Sequence, residues 1–264
     1  MNLSSAFAPH DWAVLSGPLR LKPMAEHDRL RSVRATALLD EEVCVQLLDR
    51  LGPVISSPTR AITASLLAKR FSFLATGACL YAMSVCDQGL MLSLEDCVIE
   101  YGHDEGLWTS SMPIPERAPT RYDAGEREAW RAEVVTALFA GVLAPLWQMF
   151  NRVSGISRRI LWENTAVRVY SLYEKRMSKV QDPQIRQRQE ADFHWLLNEA
   201  PPELFGLDYN PLTHFRRPPT PMEEGGSVRF RRTCCFYYRA CDPVEYCSTC
   251  PLIRPKPSRP RKCS

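Results

Sequence analysis

The chain has 264 residues, 45% of them apolar, and a formal charge of +3. That is enough for one large domain or two modest ones with real cores, and it excludes general disorder. The two uncharged runs, 71–86 and 134–150, fall short of the roughly 20 apolar residues a membrane span needs. They are broken by Gly77, Gly141 and Pro145 and read as buried helices.

In chain order, residues 1–35 are interrupted by proline and charge and read as an irregular lead-in. Met1 to Pro23 lack the charged region, apolar run and cleavage site of a secretory signal, so a cytoplasmic chain is expected. Asp40 to Leu51 has helical apolar spacing and stops at Gly52-Pro53. Ser57-Pro58 reads as the N-cap and first residue of a long apolar helix reaching about Met83. Leu90 to Leu94 and Cys97 to Tyr101, parted by Glu95-Asp96, read as a hairpin because leucines 90, 92 and 94 alternate. Thr109 to Pro119 holds three prolines and reads as a surface loop.

Helices are expected over Glu126–Phe150, Arg158–Met177 and Ile185–Ala200, the last ended by Pro201-Pro202. Residues 209–227, rich in Pro, Gly and polar groups, read as a linker, and a strand-like run from Ser227 leads into the cysteines. The expected fold is mainly α with a small antiparallel β element, an α+β class. It divides into a helical body over 1–208, the linker, and a small cysteine-rich C-terminal module over 228–264.

Charge and cysteine are both concentrated at that end. From residue 215 onward eleven Lys and Arg face four Asp and Glu, so the first 214 residues are net acidic. Six of the ten cysteines fall between Cys234 and Cys263, while Cys44, Cys79, Cys86 and Cys97 are scattered. In a reducing compartment such a cluster points to metal rather than disulfides. Cys234, Cys235, Cys247 and Cys250 supply four thiolates, which suit either a tetrahedral zinc or a [2Fe–2S] cluster. Two residues between Cys247 and Cys250 let both sulfurs reach one metal centre, and the adjacent Cys234-Cys235 departs from the paired knuckles of zinc modules. No histidine lies near the cysteines and no GxGxxG occurs, so neither a Rieske-type centre nor a bound nicotinamide is indicated.

The segment Arg231-Arg232-Thr233-Cys234-Cys235, then Arg239, then Cys247-Ser-Thr-Cys250, resembles the C-terminal signature of the FhuF-type ferric-siderophore reductases. Ile160-Leu-Trp-Glu-Asn-Thr-Ala166 resembles a Trp-x-Asn motif in the helical body of the same family. One departure is the spacing: eleven residues, not the family's ten, separate Cys235 from Cys247, and one of them is Cys241, a possible alternate ligand.

The resemblance implies a cytoplasmic one-electron reductase of ferric siderophores, hydroxamates first, that frees Fe(II) through a [2Fe–2S] cluster. The cluster would be held by Cys234, Cys235, Cys247 and Cys250. Electrons would come from a separate donor such as a ferredoxin, which the basic tail Arg254 to Lys262 could dock. Arg231, Arg232 and Arg239 would either raise the cluster potential or pair with Asp242 and Glu245. Trp162 and Asn164 would either contact substrate or pack the helix. Competing readings are a zinc knuckle engaging nucleic acid and an iron–sulfur sensor without turnover; the leading reading needs no nucleic acid and at most peripheral membrane association, at the inner face.

Overall fold

The computed structural model describes residues 3–222 and 225–255. Its helices are α1 (Pro9–Ser16), α2 (Glu41–Val54), α3 (Arg60–Ser84), α4 (Arg127–Thr136), α5 (Ala144–Ser154), α6 (Arg158–Ser171), α7 (Pro183–Asn198) and the single turn α8 (Pro211–His214). A π-helical stretch, Ala137–Leu143, joins α4 to α5, so 127–154 runs as one long helix. It is long and apolar enough to cross a membrane, yet 56% of its most apolar window is buried within the fold.

The centre of the molecule is α3. Thr59 caps it by accepting from the Ile62 N–H, two residues beyond the expected Ser57-Pro58 start. Its residues are buried almost all round, as befits a helix surrounded by others. Small residues let α6 approach closely, and polar ones pair across the seam: Ser72 meets Thr165 at 2.9 Å, and the Trp147 indole donates to the same hydroxyl at 3.1 Å. Apart from Arg60 at its start, Lys69 and Arg70 are the only charges on this helix. Gly206, with φ +66°, lies against Ala140 and Ala144, where a Cβ would come within 3.1 Å.

The fold is mainly helical with small β elements, as the sequence implies, but the strand pairs are different. Strand β2 (Ser32–Arg34) pairs antiparallel with β3 (Val98–Glu100), so the partner of 98–100 comes from the lead-in and not from 90–94. Leu90 and Leu92 are core residues, 4% and 5% exposed, and their alternation records packing rather than a strand. After the short antiparallel pair β4 (His103–Asp104) and β5 (Leu107–Trp108), the proline-rich loop contains β6 (Met112–Ile114), fully buried and parallel to β1 (Leu21–Pro23). Proline is tolerated there because each pair has an open edge. Helix α2 runs on through Pro53 to Val54, the proline falling in its last turn.

The 209–227 stretch contributes buried Leu212 and Phe215 and a carbonyl, on Leu212, that accepts from Tyr170 Oη at 2.5 Å. It ends in β7 (Thr220–Pro221) paired with β8 (Ser227–Val228).

Asp192 on α7, 0% exposed, ties the far end of the bundle. It accepts two hydrogen bonds from Arg127 at 2.8 Å, one from Arg131 at 3.0 Å and one from Ser84 at 2.9 Å. Breaking such a pair by removing one partner leaves buried charge uncompensated. Asp192→Ala should therefore lower the free energy of unfolding by about 3–5 kcal/mol, read from urea denaturation.

Candidate metal centre

The C-terminal cysteines are held on α3 and α6 by hydrogen bonds to buried groups. Glu163, 1% exposed on α6, accepts from the backbone N–H groups of Arg232 and Thr233, each at 2.6 Å, and from the Thr233 hydroxyl. Beside it Asn164 donates to the Ser65 carbonyl at 2.9 Å and accepts from Arg231 Nη2 at 2.7 Å. Arg231 is itself 2% exposed, with its Nε 3.9 Å from Glu163. On α3, Ser65 Oγ donates to the Cys235 carbonyl at 3.0 Å, and Lys69 one turn later places Nζ 3.5 Å from Cys235 Sγ. The spacing of Ser65 and Lys69 puts both on one helix face.

Within the module, Arg231 N–H donates to the Thr249 carbonyl at 2.9 Å, joining the two cysteine segments, and Cys250 N–H donates to Cys247 O at 2.9 Å. Phe236, with φ +62°, turns its N–H onto Cys234 Sγ at 3.3 Å. Phe236 and Tyr237 pack on the main core, and Tyr238 stacks on Tyr246 with centroids 5.2 Å apart.

The thiols form two pairs. Cys235 Sγ lies 3.9 Å from Cys247 Sγ, and Cys234 interacts with Cys250. Cys235 and Cys250 are buried, while Cys234 and Cys247 are partly exposed. The hydrogen bond from Cys247 pulls the Cys235 thiol well below its usual range, with Lys69 and Arg231 also favouring the thiolate against burial. The same contact, then burial, pushes Cys247 up. Cys241 turns away into its own loop, donating to the Tyr237 carbonyl at 3.4 Å. The scattered cysteines are different: burial pushes Cys44 and Cys97 up to about 12 and Cys79 and Cys86 higher still, leaving neutral packing residues.

A cavity of about 340 Å³ opens beside Cys247, walled by Lys69, Glu163, Arg168, Glu174 and Arg229 among others. The remaining residues singled out in the sequence are spread around the module. Trp162 and Asn164 are each 1% exposed, Trp162 within the core and Asn164 in the hydrogen-bonded seam. Arg232 and Arg239 project outward, and neither Asp242 nor Glu245 forms an ion pair with Arg231, Arg232 or Arg239. Apart from Arg254 and Pro255, the tail from Arg254 to Lys262 lies outside the described residues.

Residues 65–220 match the family model described as ferric iron reductase FhuF-like transporter, and residues 231–252 match that of the FhuF 2Fe-2S C-terminal domain. The chain belongs to the FhuF family. No curated protein matches it. Membership ties the chain to the ferric-siderophore reductases, and 231–252 is the stretch that corresponds to the family's 2Fe-2S domain. The first match begins at Ser65 and the second at Arg231, two residues joined through Asn164.

Glu163, Ser65 and Lys69 are the residues that sequence reasoning missed. Lys69 left a visible trace, a charge inside an otherwise apolar helix. Glu163 left none, since a glutamate on an amphipathic helix reads as solvated until its burial is known.

Glu163→Ala removes three acceptor contacts and leaves Arg231 buried without its carboxylate. It should cost about 3 kcal/mol in urea denaturation and render 228–255 sensitive to limited proteolysis. Glu163→Gln, which keeps an acceptor oxygen, should fall between it and the unaltered chain in both measurements.

Proposed function

We propose that the protein is a one-electron reductase of ferric siderophores, working in the cytoplasm with at most peripheral contact to the inner face of the membrane. The proposed cofactor is a [2Fe–2S] cluster held by Cys234, Cys235, Cys247 and Cys250. The reading rests on the arrangement of these thiols as two pairs within the family's cluster region. Each iron of such a cluster takes two thiolates.

When bound, the cluster supplies one electron at a time, the stoichiometry that Fe(III) reduction requires. The protein's own part is positional and electrostatic. Lys69 and Arg231 set positive charge against thiolates that would otherwise be buried unpaired. Phe236 and Tyr237 anchor the module on the main core. Glu163 and Asn164 fix the module's height on the helices. The chelated Fe(III) gains one electron from an external donor of the ferredoxin class, Fe(II) departs, and the freed ligand oxygens take protons from solvent. No acid, base or nucleophile is needed. Oxygen-donor chelates hold Fe(II) far less firmly than Fe(III), and the hydroxamates are one such class.

Cys241 is assigned no ligand role, because its thiol already faces Tyr237 O. The purified protein should be reddish-brown, with thiolate-to-iron absorption and two irons per chain. Serine at Cys234, Cys235, Cys247 or Cys250 should abolish or strongly shift that absorption, whereas Cys44→Ser and Cys241→Ser should leave it in place. A colourless protein with one zinc per chain would sink the proposal. So would reduced protein that releases no Fe(II) when mixed with ferric siderophores, which is the behaviour of a sensor.

A further inference from the structure

A second recess, of about 820 Å³, is walled by the end of α1, β1, α3 and the turn after α6. Its charged lining is Arg20, Lys22, Glu26, Arg70 and Arg176, with the rings of Trp12 and Phe73. Phe73 carries guanidinium groups on its ring from three directions: Arg176 at 5.2 Å, Arg70 at 5.4 Å and Arg168 at 5.7 Å.

The positive charge is largely unspent. Lys22 is neutralised by Glu100 at 2.7 Å. By contrast, among the described residues no carboxylate lies within ion-pair distance of Arg20, Arg70, Arg168 or Arg176. Arg70 is anchored by the Ser110 hydroxyl at 2.8 Å and by the Ser110 carbonyl. The Nε of Arg168 is buried with no hydrogen-bond partner. Burial, then repulsion from Arg20 and Arg168, pushes Arg70 down to about 10. These four guanidiniums repel one another, offset at Arg70 only in part by Glu100, and a fold keeps such an arrangement at a cost. Glu26 is the single acid in the lining that has no cationic partner there.

The recess is joined to the thiols through α3 and Arg168. Lys69, on Cys235 Sγ, and Arg70, in the recess wall, are consecutive residues, and Phe73 lies one helical turn, about 5.4 Å, beyond Lys69. Arg168 lines the cavity that contains Cys247, and with Phe73 and Arg176 it also lines a small gap leading toward the recess.

We propose that this recess binds the ferric chelate and selects polyanionic ones, with catecholate or carboxylate oxygen donors, over neutral trihydroxamates. This deepens the reductase reading and rests on it for the identity of the metal complex. The size is that of a small-molecule site. Planar guanidinium forks match phenolate and carboxylate oxygens, and Trp12 and Phe73 offer flat faces to aromatic ligand arms. A concave, aromatic-walled and partly buried set of arginines suits a compact anion better than an acidic protein, which would meet exposed charges on a flat or convex face.

The test uses the full-length protein and redox-inert gallium(III) complexes, read by quenching of tryptophan fluorescence, to which Trp12 in the wall contributes. A trianionic gallium tris-catecholate should bind at least tenfold more tightly than a neutral gallium trihydroxamate, and more weakly as salt rises. Arg20→Ala with Arg176→Ala, both exposed positions, should weaken the anionic complex at least tenfold and leave the neutral one unchanged. Arg50→Ala, an exposed arginine on α2, controls for net charge. Equal or tighter binding of the neutral complex, or an equal effect of Arg50→Ala, overturns the inference. If the double variant still reduces a ferric trihydroxamate and binds the anionic complex as tightly as Arg50→Ala does, the recess proposal fails and the reductase reading stands. If the gallium catecholate binds as stated but no ferric chelate yields Fe(II), the reverse holds.

Discussion

Glu163 is a carboxylate withdrawn from water on the face that α6 turns toward the C-terminal module, and the path of the chain into Cys234 and Cys235 depends on it. A glutamate there would be costly alone, since transfer of an unpaired charge into a core is strongly unfavourable. It is tolerated because two backbone N–H groups, a hydroxyl and a nearby guanidinium converge on it. The same contacts fix the path of 231–233 immediately before Cys234, so the charge compensation and the placement of the thiols are one arrangement. Asn164 extends it by linking Arg231 to Ser65, and Ser65 in turn holds the Cys235 carbonyl. A short peptide without a hydrophobic core of its own thereby gains rigidity from two long helices.

The electrostatics around the thiols follow the same logic. Lys69, Arg168 and Arg231 act on the Cys235–Cys247 pair, while Glu163 is already committed to the backbone of 232 and 233 and Glu174 pairs with Arg216 and Arg229. Burial and the neighbouring Arg231 push Arg168 down, while Cys235 and Cys247 pull it back up. Thiolates and guanidiniums thus stabilise one another's charged forms. A region of surplus positive charge is what a dianionic thiolate-bound group would require of its surroundings.

Much of the helical frame was legible because it is written in local chemistry. Apolar spacing located α2, and Pro201-Pro202 follows close on the end of α7, whereas the caps that Asp40 and Asp182 supply were not singled out in the sequence. Strand β3 falls inside the run Cys97–Tyr101 that reads as extended, and β8 starts the run at Ser227. The pairing was not legible, because β2 and β3 pair across a long stretch of chain and each is only three residues long. Leucines 90, 92 and 94 gave a false period of two, since residues lining a core irregularly can alternate without being extended. The cysteine ligand set was readable as a motif, but its support was not. The Trp162-Glu163-Asn164 stretch drew attention to its outer residues, whereas its middle one makes the direct contacts to the module's backbone. Burial of that middle residue is a tertiary property that no local pattern encodes.

Placing the chemistry on α3 and α6 rather than on loops has a consequence for how the two ends of the site communicate. Lys69 and Arg70 point to different neighbours because consecutive helical residues diverge by about 100°, so one helix can face the thiols with one side chain and the arginine recess with the next. Their separation is then set by helix geometry and by Ser72–Thr165 packing, which no loop motion can change without opening the α3–α6 seam. An electron-transfer site needs constant distance more than it needs moving parts. The buried polar seam from Ser65 to Thr165 provides it, at the price of carrying Asn164, Thr165 and Ser72 in a core where apolar residues would pack with less risk.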